Sequence, residues 1–451
     1  MSIYLMSDLL EKHEDDARAS RRDWRNFLIL FGLVLIALGF FIFKDVAPPD
    51  DAWMLPKFTP IGEGKNPLAV FVDALKKHPL QGTKEAPSTK EIGDKEKEPA
   101  MREFVQKNED AIRSFDELMK TDPTTWRWLG IDEKFNCATP LDGLSECQAV
   151  ASSLLRIKVE LLARDGKAEE AAEEALRMIR FGYGLCEARG PLIHNLVGIV
   201  VESIGEGALK SALIALGAGE PLLHRSQDAL MSFDLKTDAL RFALRLEYLG
   251  FKQSIKLFIN GSSRGSAAGF SLNNEIFFIQ YFTQTNRSLK AYLQFQKPIM
   301  HALETDWAAT VKAGQIQEKE IQAWRNDWLR FYVSPNVGGN MLLCLTLPTV
   351  NSINAKGAQT CALHRQTIIM IALRRFELEH GKLPEKLDEL VPKFLDSVPA
   401  DPFDNAPMRW NSTGRVVYSI GKDLKDDHGA VSEPRNNRDN DTGMRYWWSA
   451  K

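Results

Sequence analysis

Hydrophobic positions along this chain fall into three spacings, and each predicts a different kind of element. The run FLILFGLVLIALGFFIF, Phe27–Phe43, carries no charged or strongly polar residue. Its seventeen residues sit at the short end of the roughly 17–25 that cross ~30 Å of hydrocarbon at 1.5 Å per residue. From about Arg102 to Leu329 the period is helical, with apolar residues such as Val150, Leu154, Ile157 and Leu161 three or four apart. Beyond about residue 360 short β-branched and aromatic runs appear, as in RVVYSIG at Arg415–Gly421.

The first run predicts a transmembrane helix. Trp24, Asn26 and Lys44 extend it toward the interfaces. Arg18, Arg21, Arg22 and Arg25 precede it, while Asp45, Asp50 and Asp51 follow. That bias keeps the N-terminus in the cytoplasm and translocates the rest. A cleaved signal peptide fits less well, because the leader is long and KDVAPP is a poor small-residue cleavage site.

After the run, residues 44–68 carry Pro48, Pro49, Pro56 and Pro60 and read as an extended stalk. Pro67–Lys77 is a short amphipathic stretch, and Lys/Glu-rich Pro79–Pro99 reads as a flexible linker. In the helical region, Glu146–Leu162 and Ala168–Tyr183 flank a D-G turn and predict a helical hairpin. Leu192–Leu216 is apolar nearly all round, which predicts the central helix of the core; His194, Glu202, Glu206 and Lys210 argue against a second span. Further helices are expected over Ser226–Leu249, Asn274–Phe295 and Gln315–Phe331. Glu202 is expected in a structural ion pair with Arg241 or Arg245; a catalytic carboxylate is its other use.

Near the C-terminus a helix over Thr360–Glu379 ends at His380-Gly381, then a short helix begins at Pro384. Strands are expected at Met408–Trp410 and Arg415–Gly421, around a turn at Gly414. The order ALRRFELEHGKLP, ADPFDNAPMRW, VVYSIGKD resembles the C-terminal domain of the type II secretion major pseudopilin family. The likeness covers roughly residues 360–429. With YVSPN before the module, the chain is also similar to larger membrane-anchored bacterial envelope proteins that end in such a module. No pseudopilin processing site precedes Phe27, so the module reads as reused rather than as part of a filament subunit.

The resemblance implies calcium in the loop after the Ser-x-Gly-x-Asp strand. Asp423 stands at the matching position, followed by Asp426, Asp427, Asp439 and Asp441, whose oxygens suit that ion. Leu424 replaces the usual Gly, and a solvated acidic loop without an ion is the alternative.

Composition narrows the classes. A net charge of −3 over 451 residues provides no global basic field for nucleic acid. Five cysteines are too few for a disulfide scaffold. In an oxidising envelope the candidate pairs are Cys137–Cys147 and Cys344–Cys361, with Cys186 a buried thiol; five reduced cysteines are the alternative. Gly261–Gly265 fits G-x-S-x-G but lacks the strand before and the helix after that a nucleophile elbow requires. The eight histidines show no zinc spacing.

The expected fold is mainly α: an N-terminal transmembrane helix, a hairpin or solenoid-like helical middle domain, and a small α+β C-terminal module. The expected divisions are a leader at 1–26, the span at 27–43, stalk and linker at 44–101, the helical domain at 102–355 and the module at 356–451. The expected function is a non-catalytic binding or assembly protein tethered to the bacterial inner membrane, with its body in the periplasm. It would meet an envelope protein partner and serve type II secretion or envelope organisation. The alternative is an envelope hydrolase using a buried carboxylate of the helical domain.

Overall fold

A computed structural model describes residues 29–34, 39, 44–58, 66–83, 87, 91–136, 139–215, 217–233, 237–259, 283–327, 334–430 and 441–448. Most of Phe27–Phe43, Cys137, Gly261–Gly265 and Asp439 lie outside these residues. Residues 29–34 are helical, with Ile29, Leu30, Phe31, Leu33 and Val34 exposed.

The chain is mainly α with a small antiparallel sheet near its C-terminus. The helices are α1 (Pro67–Lys77), α2 (Glu98–Lys107) and α3 (Glu109–Met119), then α4 (Leu144–Ala149), which runs through a π-helical stretch into α5 (Arg156–Arg164). α6 (Ala168–Glu187) follows a tight turn at Gly166, whose φ of 74° is the left-handed conformation the D-G pair predicts. α7 (Leu192–Ala215), α8 (Glu220–Met231) and α9 (Thr237–Ile259) come next, then α10 (Thr285–Ala302), α11 (Trp307–Asn326) and α12 (Val337–His380). The single helix expected over Ser226–Leu249 is therefore two, α8 and α9.

α7 is the centre. It packs most extensively on α6 and also meets α5, α9 and α12. Among the described residues it alone is long and apolar enough to cross a membrane, and most of it is buried in the core. Two glycines let α6 and α7 touch backbone to backbone. A Cβ on Gly182 would lie 2.4 Å from the Glu202 nitrogen, and one on Gly198 would lie 2.8 Å from the Gly182 oxygen. Around this crossing Phe71, Phe115, Phe181 and Trp126 pack edge to face or tilted. Each such fully buried aromatic or aliphatic side chain stabilises by about 1.5–3 kcal/mol relative to exposure. Glu247 on α9 accepts the Leu192 N–H at 2.9 Å, placing a carboxyl group at the start of α7, where helix amides lack partners.

The segment read as a stalk behaves differently from that expectation. Asp45 accepts from the N–H groups of Asn286 (2.6 Å) and Arg287 (3.1 Å), capping α10 from far away in sequence. Asp51 accepts from Tyr248 and Lys252, each at 2.5 Å, and Met54 is fully buried. α1 likewise buries Leu68, Phe71, Val72 and Leu75. Proline-rich sequence without apolar periodicity looks detached, but single anchoring residues are enough to lay it on the body.

α12 is far longer than the helix expected over Thr360–Glu379, and it runs straight through the expected boundary at 355/356. It ends at Gly381, φ 72°, as the His-Gly pair predicts. Its C-terminal part carries a sheet of order β1 (Arg409–Asn411), β2 (Val416–Ser419), β3 (Thr442–Arg445), all antiparallel. β3 had no counterpart in the sequence reading. β2 is buried along its whole length, and Gln366 of α12 donates to the Thr442 carbonyl at 2.7 Å. One hydrophobic core runs from Met54 through the helices to Val417 and Trp447.

A buried carboxylate–histidine cluster

Glu202 and Glu206 are one turn apart on α7 and so project from the same face. That face meets α12, which presents His364. The three residues are 3%, 4% and 5% exposed. His364 Nδ1 lies 2.8 Å from Glu206 Oε1 and 3.9 Å from Glu202 Oε1. Its Nε2 lies 3.0 Å from the Leu230 carbonyl in the last turn of α8, so Nε2 carries a proton. Thr367, three residues on from His364, donates to Glu206 Oε2 at 3.3 Å. Glu202 Oε2 is buried and has no hydrogen-bond partner among the described residues.

Electrostatics follow from this geometry. Burial, reinforced by the Glu206 charge and only partly offset by His364, pushes the Glu202 carboxyl up to about 8. Burial alone would lower His364, yet the hydrogen bond and charge of Glu206, with help from Glu202 and the Leu230 carbonyl, raise it to about 9. At neutral pH His364 is thus an imidazolium and Glu202 a neutral carboxylic acid. A set like this can stay buried where an unpaired ion could not.

The expected partners of Glu202 are corrected. Arg241 pairs with Glu304 (2.7 Å) and Asp238 (3.2 Å) at the rim, and Arg245 makes no ion pair with Glu202. Arg241 turns to Glu304 and Asp238 at the edge of α9, while Glu202 faces His364 of α12. One of the two cysteine pairs is corrected too. Cys344 and Cys361 lie on the same helix, and seventeen residues of helix at 1.5 Å each separate them by roughly 25 Å, beyond any disulfide. Cys147 is a free, fully buried thiol, and Cys137 is outside the described residues. Cys186 is a buried thiol donating to the Asn195 carbonyl at 3.5 Å.

In the described part of the acidic C-terminal loop the aspartates make local contacts, and Asp441 Oδ1 is buried with no hydrogen-bond partner among the described residues. Asp426 pairs with Arg409 (3.2 Å) and accepts from the His428 N–H (2.8 Å). Asp423 accepts from the Lys425 N–H (3.2 Å), and Asp441 from the Gly429 N–H (2.8 Å). Among the described residues, Glu202, Glu206 and His364 form the one set of three such groups whose ligand atoms all lie within 4.8 Å of one another.

The polar centre of the module is Asp401, within ADPFDNAPMRW. Its Oδ1 accepts from Ser419 (2.7 Å) and the Phe403 N–H (3.0 Å), and its Oδ2 from the Ile420 N–H (3.0 Å) and Arg409 (3.0 Å). An open cleft of about 300 Å³, lined by Phe58, Arg127, Trp128, Ile131, Arg189 and Phe242 among others, lies apart from Glu202.

Sequence reasoning missed Glu206, His364, Thr367 and Asp401. Two signals were present: a second glutamate one turn after Glu202, and a lone histidine inside the apolar run of Thr360–Glu379. Against known proteins, the chain matches no family model, no curated protein and no solved structure.

Proposed function

We propose that this protein is a non-catalytic, membrane-tethered assembly protein of the bacterial envelope that holds its C-terminal module on a fixed platform. The observation that carries this reading is α12. One helix serves both the helical body and the module, and a single hydrophobic core spans them. Such a build suits presentation of a surface at a set position rather than a swinging head. In this reading Phe27–Phe43 crosses the inner membrane, with residues 1–26 in the cytoplasm and the body in the periplasm. Asp45, two residues past that segment, caps α10 and would hold the body against the bilayer. The helix-plus-sheet arrangement of the module supports its likeness to the pseudopilin C-terminal domain, and the partner in this reading is an envelope protein of secretion machinery.

Photo-crosslinking in intact cells tests this from Leu378 and Val391, exposed apolar residues of the module. A discrete protein adduct from either site, together with an active periplasmic reporter fused after Lys451, is expected. Absence of protein adducts at both sites, or an inactive reporter, would overturn it.

Glu202 favours a second reading. A carboxylic acid still protonated near neutral pH is what a general acid requires. Hydrolysis of envelope substrates that disappears in Glu202→Gln would establish that reading. The closed surroundings of the residue count against it, since a substrate would have to reach a side chain that is 3% exposed.

A further inference from the structure

We propose that Glu202, Glu206 and His364 bind a divalent first-row transition-metal ion, for which Zn²⁺ is the test species, as a staple between α7 and α12. This site is independent of any partner the module meets.

Three features of the cluster point to a cation. The first is the ligand set and its reach. An imidazole nitrogen with two carboxylates suits borderline ions, whereas calcium and magnesium favour oxygen throughout. In a tetrahedral site with bonds of about 2.0–2.1 Å, ligand atoms lie about 3.3 Å apart. The separations from His364 Nδ1 to Glu206 and Glu202, 2.8 and 3.9 Å, bracket that spacing. Small side-chain adjustments would therefore exchange a shared proton for an ion.

The second feature is the outer contacts. A metal-binding histidine ordinarily donates its other N–H to a carbonyl or carboxylate, which fixes the tautomer and aims the free lone pair. His364 Nε2 makes that contact with Leu230, leaving Nδ1 directed at the two glutamates. Thr367 holds Glu206 from behind.

The third is the unpaired atom. Glu202 Oε2 is enclosed and finds no donor among the described residues. A buried carboxyl oxygen in that state is costly, and a cation held by both Glu202 oxygens would satisfy it. The ion would enter as the helices close on one another, because binding and folding are coupled at such sites.

The test uses the full-length protein in detergent, without a histidine tag. Metal-stripped protein is titrated with Co²⁺ and followed by visible absorption and melting, then challenged with Zn²⁺. One equivalent of Co²⁺ with ligand-field bands, displacement by Zn²⁺, and a midpoint raised by Zn²⁺ but not by Ca²⁺ or Mg²⁺ are expected. Glu202→Gln keeps the shape and neutrality of the side chain while removing an anionic ligand. It should fold by circular dichroism and bind Co²⁺ at least tenfold more weakly. Thr367→Val should weaken binding to a smaller extent. Absence of bound Co²⁺, or equal binding by Glu202→Gln, would overturn the site. If stripping unfolds the protein, metal content as purified decides. About one equivalent in the parent that is lost in Glu202→Gln supports the site, and none in the parent refutes it.

Discussion

Glu202 and His364 both hold protons that the unfolded chain would release, and this couples the fold to pH. A free glutamate ionises near 4.5, whereas folded Glu202 does so at about 8, so folding loses stability as pH rises between those values. Histidine loses its proton near 6.5 when free and at about 9 in the folded chain, so its stabilising contribution is complete below 6.5 and disappears as pH rises through 9. Both act in one direction. Metal-stripped protein should melt several degrees lower at pH 9 than at pH 6, and Glu202→Gln should flatten the dependence between 5 and 8. A midpoint that climbs from pH 6 to pH 9 would contradict the assignment of these protons. Asp401 is the other residue on which much depends. Asp401→Ala strands the Ser419 hydroxyl and two backbone N–H groups in the core, at a cost of about 3 kcal/mol, measurable by denaturant unfolding. That Glu202 needs a partner follows from its apolar surroundings in the sequence. That the partner is His364, 162 positions away, does not, because charge pairing across helices is set by which faces meet, and arginines close in sequence looked equally suitable.

Among the elements, the crossing of α6 and α7 sets where the cluster lies, because the Glu202 backbone rests directly on Gly182. Gly182→Ala forces a methyl group into backbone at 2.4 Å and should cost about 3 kcal/mol. Gly207→Ala, on the open side of α7, meets nothing within 4 Å and should gain up to about 1 kcal/mol from helix propensity. Equal effects in urea unfolding would rule out the close crossing. α7 itself was legible, because a helix apolar nearly all round has nowhere to go but a core or a membrane. The hairpin turn at Gly166 and the end of α12 at Gly381 were also legible, since each needs a left-handed residue at one position. β3 was not. TGMR lacks alternation and has one β-branched residue, Thr442, beside a glycine, and it becomes a strand only because β2 offers it a partner.

The whole molecule turns on whether the module is a separate body. Composition changes sharply near residue 360, and that change suggested a boundary, yet amino-acid usage records what packs locally rather than where a helix stops. α12 begins at Val337, among α10 and α11, and continues until it carries β2 and β3. Along it the contacts with the body are polar as well as apolar: His364 reaches α7 and α8, and Arg375 bonds Glu220 (2.8 Å) and Gln227 (3.0 Å) of α8. Gln227 in turn donates to the Phe394 carbonyl at 2.6 Å, in the loop leading to the sheet. Module and body therefore share buried partners, and neither can open without leaving polar groups of the other unsatisfied in the core. Unfolding should then be one event. Calorimetry of the detergent-solubilised chain should give a single peak, and the fluorescence of a probe attached at Val391→Cys, an exposed position of the module, should change together with helical circular dichroism. Ala358→Pro, placed at a fully buried position in the shared stretch of α12, removes a backbone hydrogen bond and costs about 3 kcal/mol or more. If body and module are one cooperative unit, that variant lowers both signals together. Loss of the module signal alone, with the helical signal melting at its original temperature, would show two bodies joined by a helix and would remove the platform on which the assembly reading stands.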